Sequence, residues 1–183
     1  FNIGYHTFEK WKKLYRSRIE LDVSHTRLYA PENPQDIDIE ISAFGMFLNF
    51  MAAGFNISMT PFGEYDYYEP RVWGEKFFTQ PSYNFGVWIS SDYSKIFAYD
   101  VSANYTQYVG QNRADVETRI SPRLRASDML LFIYSFNYDY SHNQEGYTPY
   151  PYNDLPSDES VFGKRHTHTV TNNLTVNFIF TNR

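Results

Sequence analysis

Residues 84–105 read NFGVWISSDYSKIFAYDVSANY, two runs of alternating side chains joined by a polar break at residues 90–95. Alternation with a period of two is the pattern of a β-strand, because successive side chains point to opposite faces of a sheet. The stretch therefore predicts a β-hairpin with one apolar and one polar face. The apolar face would carry Phe85, Val87, Ile89, Phe97, Tyr99, Val101, Ala103 and Tyr105, and the polar face Asn84, Gly86, Trp88, Ser90, Asp100, Ser102 and Asn104.

The same alternation continues through most of the chain, and helical spacing is hard to find. The pattern predicts an all-β protein with about nine strands. These strands are expected at residues 1–8, 13–28, 35–49, 54–68, 83–91, 95–108, 113–122, 128–142 and 163–181.

The predicted connections alternate between two kinds. Short ones fall near residues 9–12, 50–53, 92–94 and 123–127, and longer ones near 29–34, 69–82, 109–112 and 143–162. Barrels of the bacterial outer membrane have short periplasmic turns and long extracellular loops, and their tilted walls use long strands. We therefore predict an up-and-down antiparallel transmembrane β-barrel. Residues 1–183 would form a single β-barrel segment, with extracellular-type loops near 69–82 and 143–162.

Composition narrows the classes of function. The chain of 183 residues has no Cys, which excludes disulfides and thiolate metal sites, and 20% of its residues are aromatic. A net charge of −5 without a basic stripe argues against nucleic acid as a partner. No stretch reaches the roughly 20 apolar residues of a membrane helix, whereas a tilted strand needs only about 9 to 11. The mean hydropathy of −0.54 is therefore compatible with a membrane barrel.

Two features indicate a segment of a larger barrel. Nine is an odd number of strands, whereas bacterial single-chain barrels normally have an even number. An open sheet would also leave unpaired backbone groups in lipid, which is not viable. We expect the chain, which starts at Phe1 without a signal peptide, to be a piece of a longer one.

A soluble β-sandwich binding module is the main alternative, since one face of a soluble sheet is also apolar. Strand length, the rhythm of the connections and aromatic residues near predicted strand ends favour the membrane barrel. These aromatic residues are Tyr5, Phe8, Tyr29, Tyr67, Tyr68, Tyr93, Tyr108, Tyr138 and Tyr140.

Several stretches resemble the C-terminal β-barrel of a family of uncharacterised Bacteroidota outer-membrane proteins. They are residues 68–72 (YEPRV), 81–86 (PSYNFG) and 88–97 (WISSDYSKIF), while 162–165 (FGKR) and 169–174 (TVTNNL) resemble the family's closing region. The likeness covers residues 65–181 and implies a barrel fold, while it says almost nothing about activity and points to no catalytic residue. In that family a carbohydrate-binding-like β-sandwich precedes the barrel. Nothing in this chain resembles that sandwich, so its sugar-binding role does not transfer.

The loop expected at 143–162 is the candidate surface for a ligand or partner. Aromatic rings stack on sugars and proteins, and carboxylates accept hydrogen bonds from hydroxyls or bind calcium. An ordinary extracellular loop stiffened by prolines explains the same composition and is the favoured interpretation. The candidate residues are Tyr147, Tyr150, Tyr152, Asp154 and Asp158.

Two further groups of residues are candidates for chemistry. His166 and His168 would share one face of a strand, but two ligands are too few for a metal site. Ser141 and His142 could meet Asp154 or Asp158 as a nucleophile, a base and an orienting group, although such residues are common at strand ends. We therefore predict no catalytic, metal or cofactor-binding residue.

The expected function is that of a non-enzymatic barrel in a bacterial outer membrane. It would act as an anchor or as a subunit of a larger assembly, with a transport channel ranked third and a rim-active hydrolase as an alternative. Membrane lipid is the expected partner, followed by other outer-membrane proteins and by a glycan or protein at the extracellular loops. Lumen charges are expected to pair across strands; they are Arg18, Glu20, Asp22, Asp38 and Glu40.

Overall fold

A computed structural model describes residues 1–29, 32–148 and 161–180. Its strands are β1 (Asn2–Thr7), β2 (Leu14–Leu28), β3 (Asn33–Phe47), β4 (Ala52–Thr60), β5 (Glu64–Asp66), β6 (Phe77–Thr79), β7 (Ser82–Ser90), β8 (Phe97–Tyr108), β9 (Ala114–Ser127), β10 (Leu130–Tyr147) and β11 (Phe162–Phe178). The all-β prediction is confirmed. In this part of the chain, no helix has the length and apolar character needed to cross a membrane.

One antiparallel sheet contains nine of these strands, in the order β1-β2-β3-β4-β7-β8-β9-β10-β11. Strands that follow one another in the chain are neighbours in the sheet, which confirms the up-and-down arrangement. The remaining strands, β5 and β6, form a separate small hairpin within the connection between β4 and β7. Across the described ranges the sheet is open, with β1 and β11 at its two edges, so the predicted barrel is not closed.

The register separates polar and apolar side chains onto opposite faces. Asn56, Gly86, Asn104 and Glu117 form one row across β4, β7, β8 and β9. The adjacent row on the other face consists of Ile57, Phe85, Tyr105 and Val116. The face assignment for residues 84–105 is therefore confirmed.

The apolar face is not covered by another layer of the described chain. Large side chains on it are well exposed, for example Phe85 at 50%, Ile120 at 48% and Leu174 at 62% of their surface. Ala98 is the buried hydrophobic residue of the described ranges, at 2% exposure. The sheet thus has no conventional core.

The strand predicted at 54–68 is wrong beyond residue 60, because the chain turns at Pro61–Gly63. Proline cannot donate to a sheet ladder. Gly63 has a φ of 72°, and its N–H donates to the carbonyl of Thr60 over 3.1 Å. A Cβ at Gly63 would lie 2.4 Å from the carbonyl oxygen of Thr79, so the turn requires glycine. The chain then forms β5, leaving the main sheet.

The turn predicted at residues 123–127 is also wrong, since β9 continues to Ser127 and the turn lies at residues 128–129. The interior of β9 contains Pro122. The strand tolerates it because the pairing with β10 lapses between Ile120 and Arg123, where proline has no N–H to donate.

The connection between β10 and β11 is shorter than predicted. β10 continues to Tyr147 because a bulge with Asn143 at a φ of 55° absorbs the irregularity, and β11 begins at Phe162. The connections at 29–32 and 109–113 are as short as those at the opposite end. The strict alternation of short and long connections is therefore wrong, and only the connections at 61–81 and 148–161 are long.

Candidate functional site

The polar face forms a groove, and its centre is built around a glycine. Gly86 lies between Asn56 and Asn104 in the register. A Cβ there would lie 2.2 Å and 2.3 Å from the amide oxygens of these two residues. Beside it, Asn56 donates to Asn84 over 3.2 Å and Asn84 donates to Thr106 over 2.9 Å. Gly86 thus makes room for a continuous band of amides and hydroxyls across β4, β7 and β8.

Charge in the groove is concentrated at Asp100 and Arg123. The Nε of Arg123 lies 3.7 Å from Oδ2 of Asp100, an ion pair without a direct hydrogen bond. Asp100 also accepts hydrogen bonds from Ser90, over 2.5 Å, and from the hydroxyl of Tyr93. The guanidinium of Arg123 lies 4.3 Å from the centre of the Tyr93 ring, a cation–π contact. This cluster ties the turn at 91–96 to the wall of the groove.

The groove continues along β8 to β11 as an open cavity of about 720 Å³. Uncharged hydroxyls and amides make up most of its polar lining, together with Arg119 and Arg123. Ser121 is buried, at 3% exposure, and its hydroxyl lies 3.0 Å from that of Ser135. Such a lining holds water and polar solutes and is unsuited to acyl chains.

An aromatic cluster occupies the polar face near the short turns. The indole of Trp88 lies over Gly54, where a Cβ would come within 2.7 Å of its Nε1. This placement brings Trp88 to Phe44, with ring centres 5.9 Å apart. The guanidinium of Arg16 lies 5.5 Å from the Phe44 ring. Gly54 is thus the position that allows an aromatic platform within an otherwise polar face.

Residues 61–81, here called the crossing segment, connect β4 to β7 and reach the strands near the opposite edge of the sheet, β10 and β11. Oε1 of Glu69 accepts the backbone N–H of Tyr147 over 2.6 Å. The guanidinium of Arg71 lies 4.7 Å from the Tyr147 ring, and Phe77 stacks on Phe162 at 4.5 Å. Because β8 and β9 separate β7 from β10, the segment crosses the ends of both strands, a span of roughly 14 Å.

At Glu69 the crossing segment lies on the polar side of the sheet, whereas its ring contacts with Tyr147 and Phe162 are made to side chains of the opposite face. Gly146 pairs with Gly163, two residues before Arg165, which the register places on the polar face. A Cβ at Gly146 would lie 3.3 Å from Oε1 of Glu69. Pro70, next to Glu69, is fully buried. The segment therefore covers one end of the groove.

A group of carboxylates lies where the crossing segment leaves the sheet. Partial burial and the neighbouring carboxylates of Asp36, Asp66 and Asp38 raise the pKa of Glu64 above its usual value of 4.5. Asp38 accepts a hydrogen bond from Thr60 over 2.8 Å, and Asp66 accepts the N–H groups of Tyr68 and Glu69. These bonds fold the segment locally. The described residues contain no cluster of His, Asp or Glu placed to bind a metal ion.

Of the predicted ligand-loop residues, the structure places Tyr147 at the end of β10, in contact with the crossing segment. Its ring and amide are engaged within the protein, which differs from the expected free loop position. Tyr150, Tyr152, Asp154 and Asp158 lie outside the described residues.

The proposed hydrolase residues are not brought together as a pair. Ser141 and His142 are consecutive on β10, and the register gives Ser141 the polar face opposite Thr167. His142 points to the other face, where its Nδ1 is 3.2 Å from the hydroxyl of Tyr140. A serine nucleophile needs its base within hydrogen-bond reach on the same side. The predicted shared face of His166 and His168 is confirmed by the register of β11.

The predicted lumen charges lie on the polar face, and part of their pairing follows the expectation. Glu20 is 3.4 Å from His6 across β1 and β2, and 3.2 Å from Arg18 on its own strand. Asp22 accepts a hydrogen bond from Asn2 over 3.2 Å.

Sequence reasoning missed Glu69 and Gly86 as key positions. Gly86 had a detectable signal, since an isolated glycine within a strand marks a close approach of neighbouring groups. Glu69 had none, because its partner is 78 residues away.

Comparison with known proteins gives one match. The family model described as "Domain of unknown function (DUF5916)" covers residues 1–183. No curated protein and no solved structure matches the chain. The match extends over the open sheet, the groove and the crossing segment, and the chain belongs to the DUF5916 family.

Proposed function

We propose that this chain is a wall segment of a β-barrel in a bacterial outer membrane, with its apolar face against lipid. The observation that carries the proposal is the exposure of large apolar side chains along one entire face of the sheet. Examples from edge to edge are Ile19 at 56%, Ile57 at 46%, Val87 at 41%, Ile120 at 48% and Val176 at 51% of their surface.

Physical chemistry favours lipid as the cover of this face. Burying apolar surface is worth about 25 cal/mol per Å², and soluble monomers rarely expose apolar patches above a few hundred Å². The opposite face carries Asp100, Glu117 and Arg119, which acyl chains would not accommodate. An apolar exterior and a polar interior are the arrangement of outer-membrane barrels.

A soluble β-sandwich remains the competing proposal. It requires a second layer over the apolar face, and the described chain supplies none. The long strands, up to 18 residues in β10, also exceed what a sandwich needs.

Within the membrane, an anchor or a subunit of a larger assembly is the favoured role. The crossing segment covers one end of the groove, where Glu69 and Phe77 hold it to β10 and β11. A cover of this kind is more consistent with a scaffold than with a wide pore. We propose no enzymatic activity, since Ser141 and His142 point to opposite faces.

A transport channel is the second candidate, supported by the hydrophilic groove of about 720 Å³. Stepwise conductance of the purified full-length protein in planar bilayers would support it. If the bilayer shows no conductance, the channel is excluded and the role as an anchor or subunit is retained.

Single cysteines test the membrane proposal in a full-length protein from which any cysteine outside residues 1–183 has been removed, since residues 1–183 contain none. Full-length protein carrying Val87→Cys or Ser102→Cys is reconstituted into liposomes and treated with a charged maleimide. We expect Ser102→Cys to react and Val87→Cys to be protected until detergent is added. Equal reaction at both positions, in a protein that stays monodisperse without detergent, would overturn the proposal in favour of a soluble sheet.

A further inference from the structure

A row of three imidazoles lies on the apolar face of the β10–β11 hairpin, near its connection at residues 148–161. His168 lies opposite Tyr140, with ring centres 4.6 Å apart, and His142 and His166 lie 4.5 Å apart. The alternation that places Phe136 and Val170 on the apolar face includes these side chains. Imidazole rings are therefore concentrated at one end of a face that is mainly apolar.

The Nδ1 atom of each imidazole already has a partner. The backbone N–H of Asn143 donates to Nδ1 of His166 over 3.3 Å. Nδ1 of His142 is 3.2 Å from the hydroxyl of Tyr140, and Nδ1 of His168 is 2.9 Å from that of Tyr138.

The contact with Asn143 fixes which nitrogen of His166 carries the hydrogen. A backbone N–H can only donate, so Nδ1 of His166 accepts and its Nε2 bears the hydrogen. The same tautomer follows for His142 and His168 when the phenol donates. The row then offers three Nε2–H donors that none of these contacts uses.

An ion pair between Lys164 and Glu145 lies beside the imidazole row. Lys164, two residues before His166, lies 2.9 Å from Oε1 of Glu145. That carboxylate also accepts a hydrogen bond from Gln111 over 3.1 Å. The side-chain contacts of Glu145 are thus with Lys164 and Gln111, and neither joins it to the imidazole row.

We propose that this row, His142, His166 and His168, binds the phosphate of an anionic lipid headgroup. The inference rests on the proposed function, because it requires the apolar face to lie in a membrane. Tyrosine and other amphipathic rings concentrate at the level of lipid headgroups, and Tyr138 and Tyr140 mark that level here. Phosphate oxygens are strong acceptors at this depth and match a set of N–H donors that has no acceptor among the residues the structure describes.

The test measures lipid selectivity of the full-length protein in phosphatidylcholine vesicles. Electron spin resonance reports the motionally restricted fraction of spin-labelled phosphatidic acid and of spin-labelled phosphatidylcholine. We expect the parent protein to favour phosphatidic acid by roughly two- to tenfold, the factor that corresponds to one net hydrogen bond. His166→Phe and His168→Phe should lose this preference, while His166→Gln, which keeps a side-chain N–H donor, should retain most of it.

His25→Phe is the matched control. His25 lies on the apolar face of β2 at the same end of the sheet, opposite Ile37, and has no imidazole row beside it. The preference should be unchanged in this variant. The restricted fraction of phosphatidylcholine should be equal in all variants, which shows that each has folded into the membrane.

Two outcomes would overturn the site. One is equal selectivity in the parent and the phenylalanine variants. The other is loss of the preference when millimolar inorganic phosphate is added, which would indicate a site for free anions. Absence of any restricted lipid in the parent would instead refute the proposed function, so the two failures are distinguishable.

Discussion

The backbone N–H of Tyr147 donates to Oε1 of Glu69 over 2.6 Å and so joins two residues that are 78 positions apart. This bond connects the crossing segment to β10, beside the contact of Arg71 with the Tyr147 ring. With the stacked pair of Phe77 and Phe162, it holds residues 61–81 over the end of the polar groove.

Replacing Glu69 by alanine should release the crossing segment from β10. A hydrogen bond to a charged group contributes about 1.5–3 kcal/mol, so exchange of the Tyr147 amide should accelerate by roughly tenfold or more. Hydrogen exchange with mass spectrometry measures the effect. Glu75→Ala, an exposed change in the same segment, is the control and should leave the exchange unaltered. Unchanged protection in Glu69→Ala would show that the bond does not hold the segment.

Replacing Gly86 by alanine should destabilise the sheet. The new Cβ would meet the amide oxygens of Asn56 and Asn104 at 2.2 Å and 2.3 Å, and both side chains would have to move. We expect a loss of about 1–3 kcal/mol in the free energy of unfolding, measured by denaturant titration in vesicles. Gly163→Ala is the matched control, because its nearest contact would be an ordinary 3.7 Å. Equal stability of the two variants would contradict the prediction.

The carboxyl of Glu64 should make the crossing segment less stable as the pH rises. Partial burial and Asp36, Asp66 and Asp38 raise its pKa, so the folded chain retains this proton above 4.5 where the unfolded chain loses it. Stability therefore falls with rising pH between 4.5 and the higher folded value. Glu64→Gln should remove this dependence.

This pH dependence of stability is measured by hydrogen exchange of the β5 and β6 amides, compared at acidic and neutral pH. Glu75→Gln should behave like the parent protein. A parent whose β5 and β6 amides become better protected as the pH rises would contradict the assigned sign.

The two faces should respond oppositely to a new charge. Val101→Arg places a guanidinium on the apolar face, where an arginine near the bilayer centre costs about 2–4 kcal/mol. Asn104→Arg places it on the polar face, opposite Glu117, where it gains a partner. Folding yield and stability in phospholipid vesicles should drop for Val101→Arg alone. If both variants fold equally well, the apolar face does not contact lipid.

Residues 84–105 illustrate what the sequence could predict. Alternation assigned Val87 and Val101 to one face and Ser102 and Asn104 to the other, and the register confirms it. The arrangement is local, since each strand pairs with its neighbour in the chain. For that reason the up-and-down sheet was also predictable.

The errors arose where distant or irregular contacts decide the structure. Asn143 accommodates a bulge within β10, and Pro122 is tolerated within β9, so both strands extend past positions that resemble breaks. The path of the crossing segment depends on Glu69 meeting Tyr147. No local pattern encodes a contact between residues so far apart, and the cover over the groove could not be predicted.

The open sheet has a consequence for any closed assembly. With antiparallel neighbours throughout and nine strands in the sheet, β1 and β11 run in the same direction. Joining the two edges directly, or pairing two copies around an axis along the strands, would create a seam of parallel neighbours. A closed barrel with only antiparallel neighbours requires an odd number of added strands. One of them would pair antiparallel with the 17 residues of β11.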